Sequence, residues 1–362
     1  MAQIPTTATM SAEVASLMDR LQQAEAASNA DEQAHVYKLL SQHYSRTCQW
    51  DAAEDAARRG LAVARNATNR QRLGDALNRL GAVLMDTRSA AAVEPLHEGL
   101  EVFRQLGDKA GQARVHINLG IIHTKDGRSA QAVHEYQMAA QAARAGNDDG
   151  LVGLAELNSG VLLLETGQFN AAVQPLDAAL AAFTKSGDQR LQMLTRFNQA
   201  HVARESGDHP RAIAIYNDVI TVASAMQMLD VELGALAGRG LSALARNDLK
   251  AAQADAAAID RKLADRPNWA FQGRELVEAL VVRIAIVSKE VEKAIVRLTD
   301  ALPMQRDASA VTWLLADCAP PLLNAGGFLP ASVLRRRDDQ SIADANARRS
   351  QTKDVEIAAG HL

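Results

Sequence analysis

The chain has 362 residues, a formal net charge of −4 and a composition that is 48% hydrophobic but only 4% aromatic, the profile of small side chains packed closely between helices. So near a balance of charge gives no broad basic field, and nucleic acid and anionic membrane are not expected partners. Two distant cysteines, Cys48 and Cys318, exclude a disulfide framework; no apolar run is long enough to span a membrane, and Met1-Ala2-Gln3-Ile4-Pro5-Thr6-Thr7 lacks the features of a leader, so the cytoplasm is the expected location.

Taken in chain order, residues 1–30 read as a tail running into one Ala-rich amphipathic helix over 11–29, and a repeat array follows over 31–306. Its period is 40: Gly120, Gly160, Ala200 and Gly240 fall in step, as do Gly127, Gly167, Gly207 and Asn247, and Ala92, Ala132, Ala172, Ala212 and Ala252. Three small-residue ladders in one register mean one supersecondary unit stacked repeatedly, each copy burying its apolar face on the next. A copy over Asp31–Asn69 keeps Ala53 but has Ser41 at the glycine position, and the pattern is strong from about residue 71 to 265.

The clearest copy, Asp108–Asn147, predicts two helices. Asp108 is placed to cap helix A, which runs to about Lys125 with Val115, Leu119 and Ile122 as its buried stripe. Asp126-Gly127 ends it, because glycine accepts the left-handed conformation common at helix C-termini. Helix B starts near Ser129, carries Ala132, Val133, Tyr136 and Ala139 on one face, and stops at Gly146. The same punctuation returns at Thr166-Gly167, Gly187-Asp188, Ser206-Gly207 and Leu229-Asp230, with Pro210 just inside its helix B, where a missing N–H costs nothing. A last copy, from about Asn268 to Asp307, keeps Ala294 with its register slipped by two. Residues 307–334 are expected to form a cap, a helix and an irregular turn broken by Pro320-Pro321 and Gly326-Gly327, and 335–362 a disordered polar tail with mixed charge.

Leu119-Gly120, His123, Gly127, Ala132, Tyr136 and Ala139 together resemble the tetratricopeptide repeat, as do Gly160, Gly167 and Ala172, then Ala200, Gly207, Ala212 and Tyr216. The longer period, against about 34 in the commonest form, is similar to the repeats of kinesin light chains, of LGN/Pins spindle-orientation proteins and of bacterial Rap-type and MalT-like sensors. The resemblance implies an all-α, right-handed superhelix of about seven helix-turn-helix repeats, five clear and two degenerate, the degenerate ones at the ends where a polar outer face is required.

Candidate binding residues follow from the register. Asn118, Asn158 and Asn198 recur two residues before the small residue of helix A, a position that in the resembled family faces the concave groove. A carboxamide offers both donor and acceptor and so pairs with a peptide unit of any sequence. In the preceding copy, counting by 40 gives Asn78, whereas aligning Leu80-Gly81 with Leu119-Gly120 gives Arg79. Around this ladder the register places Arg114, Ile121 and Lys125, then Leu154, Val161 and Glu165, then Phe197, His201, Arg204 and Glu205. Arg79 and Lys125 alone are too few for a carboxylate clamp.

Signals of catalysis are weak. His35, His43 and Cys48 have no zinc-site spacing, His116 and His123 share a helix face as packing residues would, and G-x-S-x-G, P-loop, dinucleotide and H-E-x-x-H motifs are missing. Arg335-Arg336-Arg337 is followed at once by Asp338-Asp339 and reads as solvated tail, while Val355-Glu356-Ile357 offers a small apolar patch that could fold back into the groove. The expectation is a non-enzymatic adaptor without metal or cofactor, holding an extended or helical segment of a partner protein in its groove. A peptide or small-molecule sensor of a bacterial regulator and an assembly chaperone are the alternatives, and exposed solenoid ends could also join two copies.

Overall fold

A computed structural model describes residues 12–265, 271, 273–302 and 308–325. The tail before residue 12, the Gly326-Gly327 turn with the rest of the cap, and the tail 335–362 with its Arg335–Arg337 run and Val355-Glu356-Ile357 patch lie outside the described residues. The described chain is helical without strands, and it forms two compact units that part inside one helix, between Leu162 and Leu163.

Unit 1 contains α1 (Ala12–Ala26), α2 (Ala30–Arg46), α3 (Trp50–Ala64), α4 (Arg70–Thr87), α5 (Ser89–Leu106), α6 (Lys109–Lys125), α7 (Ser129–Ala145) and most of α8 (Asp149–Glu165). The pairs α2/α3, α4/α5 and α6/α7 pack as helical hairpins, and the first helices of successive hairpins, α2, α4 and α6, also pack on one another. Asn29, Asn69, Asp108 and Asp148 cap α2, α4, α6 and α8, each side chain accepting from a first-turn amide at 2.9–3.0 Å. Valines and leucines of α1 (Val14, Leu17, Leu21) bury against Val36 and Leu40 of α2, so the amphipathic first helix closes the end of the array.

The small-residue ladders are where the hairpins close. A Cβ on Gly120 would stand 2.5 Å from Cε1 of Tyr136, and one on Gly81 would stand 2.4 Å from Cγ of Leu96. Tyr136 lies across Gly120 and its hydroxyl meets Thr124 Oγ1 at 3.0 Å. From Gly111 to Ile122 every residue of α6 except Arg114 is buried, because α4, α5 and α7 enclose the helix. Between α6 and α7 the left-handed residue is Gly127, at φ 71°; after α7 it is Asn147, at φ 55°, rather than the Gly146 at which the sequence ends the helix.

Unit 2 contains α9 (Phe169–Ser186), α10 (Gln189–Glu205), α11 (His209–Ala225), α12 (Leu229–Ala245), α13 (Leu249–Leu263), α14 (Arg274–Val287), α15 (Val291–Ala301) and α16 (Ala308–Asn324). The same hairpins recur as α10/α11, α12/α13 and α14/α15, and Gly167, Gly207 and Asn247 take positive φ at the predicted turns. Gly240 meets two helices, since a Cβ there would stand 2.8 Å from Leu280 of α14 and 3.4 Å from Cβ of Asp255 on its own helix B, α13, while Gly238 lies under Tyr216, at 2.4 Å. One expectation changes here: Pro320-Pro321 does not break the cap, and α16 runs through both prolines. Proline at 321 removes the amide that would bond the Asp317 carbonyl, and Arg283 of α14 fills that role with Nη1 3.1 Å from the oxygen.

Candidate functional site

The asparagines of the ladder have the same register but three different environments. Asn118 Nδ2 donates to Oδ1 of Asn78 at 2.9 Å, a bond between residues 40 apart on α6 and α4. Asn78 is therefore the member of the row contributed by α4. Arg79 turns the other way, into the α2–α4 contact, where Nε donates to Ser41 Oγ at 2.8 Å, Nη2 to the Ser41 carbonyl at 3.3 Å, and Nη2 also to Ser45 Oγ. Asn158 is 3% exposed, and neither its Nδ2 nor its Oδ1 has a hydrogen-bond partner. Asn198, in unit 2, donates to the Leu194 carbonyl of its own helix at 3.0 Å.

Around the row in unit 1, charge is cancelled locally. Arg114 lies 3.8 Å from Asp75 and 3.9 Å from Asp108, with its guanidinium 5.9 Å from the Phe103 ring centre. Lys125 Nζ is 2.5 Å from Asp86 Oδ1, and Lys38 Nζ is 3.0 Å from Asp75 Oδ2. Ile121 and Leu154 are buried, and Val161 is half-buried. His116 Nδ1 is 2.7 Å from Glu135 Oε2 and ties α6 to α7; burial pushes the Glu135 carboxyl up, but the His116 bond and the nearby histidines outweigh it and hold it below its ordinary value.

In unit 2, Phe197 stands edge-on to Tyr216 with ring centres 6.1 Å apart, and His201 and Arg204 both approach Glu205. Glu165 is exposed at the end of α8. The acidic partners Asp75, Asp86 and Asp108 were legible as residues but not as groove components. For Asp75 and Asp86 the signal is a basic residue one repeat away: Lys38 to Asp75 is 37 residues and Asp86 to Lys125 is 39. Among the described residues no group of three or more His, Cys, Asp or Glu is placed to hold a metal ion, and no helix is long and apolar enough to cross a membrane.

No protein-family model and no curated protein sequence matches the chain. Solved structures do match in fold. The apo form of the quorum sensor NprR from B. thuringiensis aligns with TM-score 0.61 at 13% identity, over 93% of this chain and 96% of that one. NprR in complex with its cognate peptide NprX gives 0.54 at 13%, over 86% and 85%, and a tetratricopeptide repeat protein from Parabacteroides merdae gives 0.50 at 15%, over 79% and 98%. The chain thus has an all-α helical-repeat fold like that of tetratricopeptide-type structures.

Proposed function

We propose that the chain is a peptide-binding scaffold, holding a segment of another polypeptide along the first-helix face of unit 1 with Asn158 as its anchor. The observation that carries this is the Asn158 carboxamide, covered by the protein itself with donor and acceptor both unpartnered, so that a peptide reaches it by displacing that cover. Buried polar groups are nearly always satisfied, and leaving one unmade costs about 1–3 kcal/mol. A residue in extended conformation turns its N–H and C=O to the same side, as in the hydrogen-bonded pairs of antiparallel sheets, and would satisfy both atoms of Asn158 at once.

Local charge cancellation favours the same ligand. With Arg114, Lys125 and Lys38 each beside a carboxylate, the face offers neutral amides rather than a net field, which suits backbone recognition over capture of an acidic group. NprR, similar in fold, has been solved with a cognate peptide. That likeness supports a short free peptide as the ligand as well as a segment of a larger partner, and the adaptor and sensor readings differ only in that respect.

The test is to screen a displayed library of random peptides against the protein and titrate the selected peptides calorimetrically into wild type and Asn158→Leu. Peptides that bind wild type and lose at least tenfold in affinity, about 1.4 kcal/mol, with the variant support the reading. Peptides held equally by both would place the site elsewhere, and an empty screen would argue against a peptide scaffold.

A further inference from the structure

At the end of α10 one carboxylate faces two basic side chains. Glu205 Oε1 is 2.5 Å from Arg204 Nη2 and 3.4 Å from His201 Nε2, and the three side chains are only 25%, 7% and 20% exposed. Tyr216 of α11, fully buried, closes the cluster. Its hydroxyl lies within the fields of Arg204 and Glu205, and Gly238 of α12 presses so near that a Cβ there would stand 2.5 Å from the hydroxyl oxygen. His209, at the start of α11, is the remaining titratable group that acts on Glu205. These side chains sit where α10 meets α11, so the cluster's charge bears directly on that joint.

With a neutral imidazole the cluster balances, Arg204 against Glu205. A proton on His201 leaves two cations sharing one anion in a largely dehydrated space, where like charges repel strongly. We propose that His201 is a proton switch on the α10–α11 joint, closed when the imidazole is neutral and loosened when it takes up a proton. Burial, then the charge of Arg204, hold the His201 imidazole below its ordinary value against the opposing pull of Glu205. Burial pushes the Glu205 carboxyl up, but His201 and Arg204 bring it below its ordinary value, so the carboxylate keeps its charge throughout the histidine range. Because the folded state resists the proton, the joint is fully closed above about pH 6.5 and weakens as pH falls below it.

The switch has a place to act. Leu194, Phe197, Asn198 and His201 are the partly exposed stripe of α10, so loosening the joint alters the surface this helix offers. It does not depend on a peptide at Asn158, which belongs to unit 1.

Hydrogen exchange of the full chain read by mass spectrometry at pH 7.5 and 5.5, with exchange times corrected for the intrinsic rate, tests it. Expected is a selective loss of protection on acidification over Gln189–Ala225, against Arg274–Val287 as the internal reference, absent in His201→Gln and retained in His209→Gln. Unchanged protection in wild type, the same loss in His201→Gln, or a loss abolished by His209→Gln would each overturn the proposal. Should His201→Gln already be open at pH 7.5, titration of the wild-type His201 ring by NMR decides: a midpoint below the ordinary histidine value supports the switch, and one at or above it refutes it.

Discussion

One residue type in one register ends in three chemical states, and stability separates them. Asn158 holds two buried polar atoms without partners, so Asn158→Leu, nearly isosteric, should raise stability by about 1–3 kcal/mol in urea unfolding while removing ligand binding. Asn118→Leu should do the opposite, costing about 1 kcal/mol because it orphans the Asn78 oxygen it now satisfies. If both substitutions destabilise equally, the row is structural. The sequence shows the row, since identical residues at a fixed spacing need no coordinates. It cannot show that Asn198 folds back on Leu194, or that Arg79 turns to Ser41, because those outcomes depend on which neighbour lies within reach of a rotamer.

At the scale of the helix, the joints are legible for a steric reason. Ala53, Ala92, Ala132, Ala172, Ala212, Ala252 and Ala294 are all 0% exposed, so at this point each second helix is packed as tightly as a methyl group allows. Gly120→Leu should cost about 1–3 kcal/mol by displacing Tyr136, and circular-dichroism melting would check it. Gly127→Ala acts differently: nothing lies within 4 Å of its Cβ, and the expected loss of about 1–2 kcal/mol is backbone strain at φ 71°. Proline was the misleading signal. Pro320-Pro321 reads as a break, yet a side chain from another helix can bond the freed carbonyl, and such a remedy lies 34 residues away in Arg283. Arg283→Ala should therefore loosen α16 selectively, seen as faster amide exchange over Ala308–Asn324 than in α14.

Across the molecule, proton linkage sets the pH range of stability. His35 accepts from Arg72 Nη1 at 3.2 Å, which requires a neutral ring, and burial followed by the Arg72 charge holds it below its ordinary value. His123 is lowered by burial and then by Arg128. Both favour the unprotonated fold, so their contribution is complete above about pH 6.5 and drains as pH falls below it. Burial pushes Glu54 and Glu135 up, but bonds from Arg88 and Arg58 and from His116 lower them overall, so their share is complete above the ordinary carboxylate range and is lost only in stronger acid. The urea midpoint should hold between pH 7.5 and 8.5, slip between about 7 and 5.5, and fall steeply below about 4. A midpoint rising on mild acidification would contradict the buried-histidine contribution.

The identical joints also bear on how such a chain can change over generations. Excising Asp108–Asn147, 40 residues, would set Gly107 against Asp148, the same Gly-Asp junction that now precedes α6, and would bring Asn158 opposite Asn78 in place of Asn118. The shortened chain should fold with one hairpin fewer, whereas a deletion of 38 or 42 should not. Length is thus inherited in whole blocks, and a gene for this fold can be lengthened or trimmed by recombination between its own copies without having to invent a new interface each time.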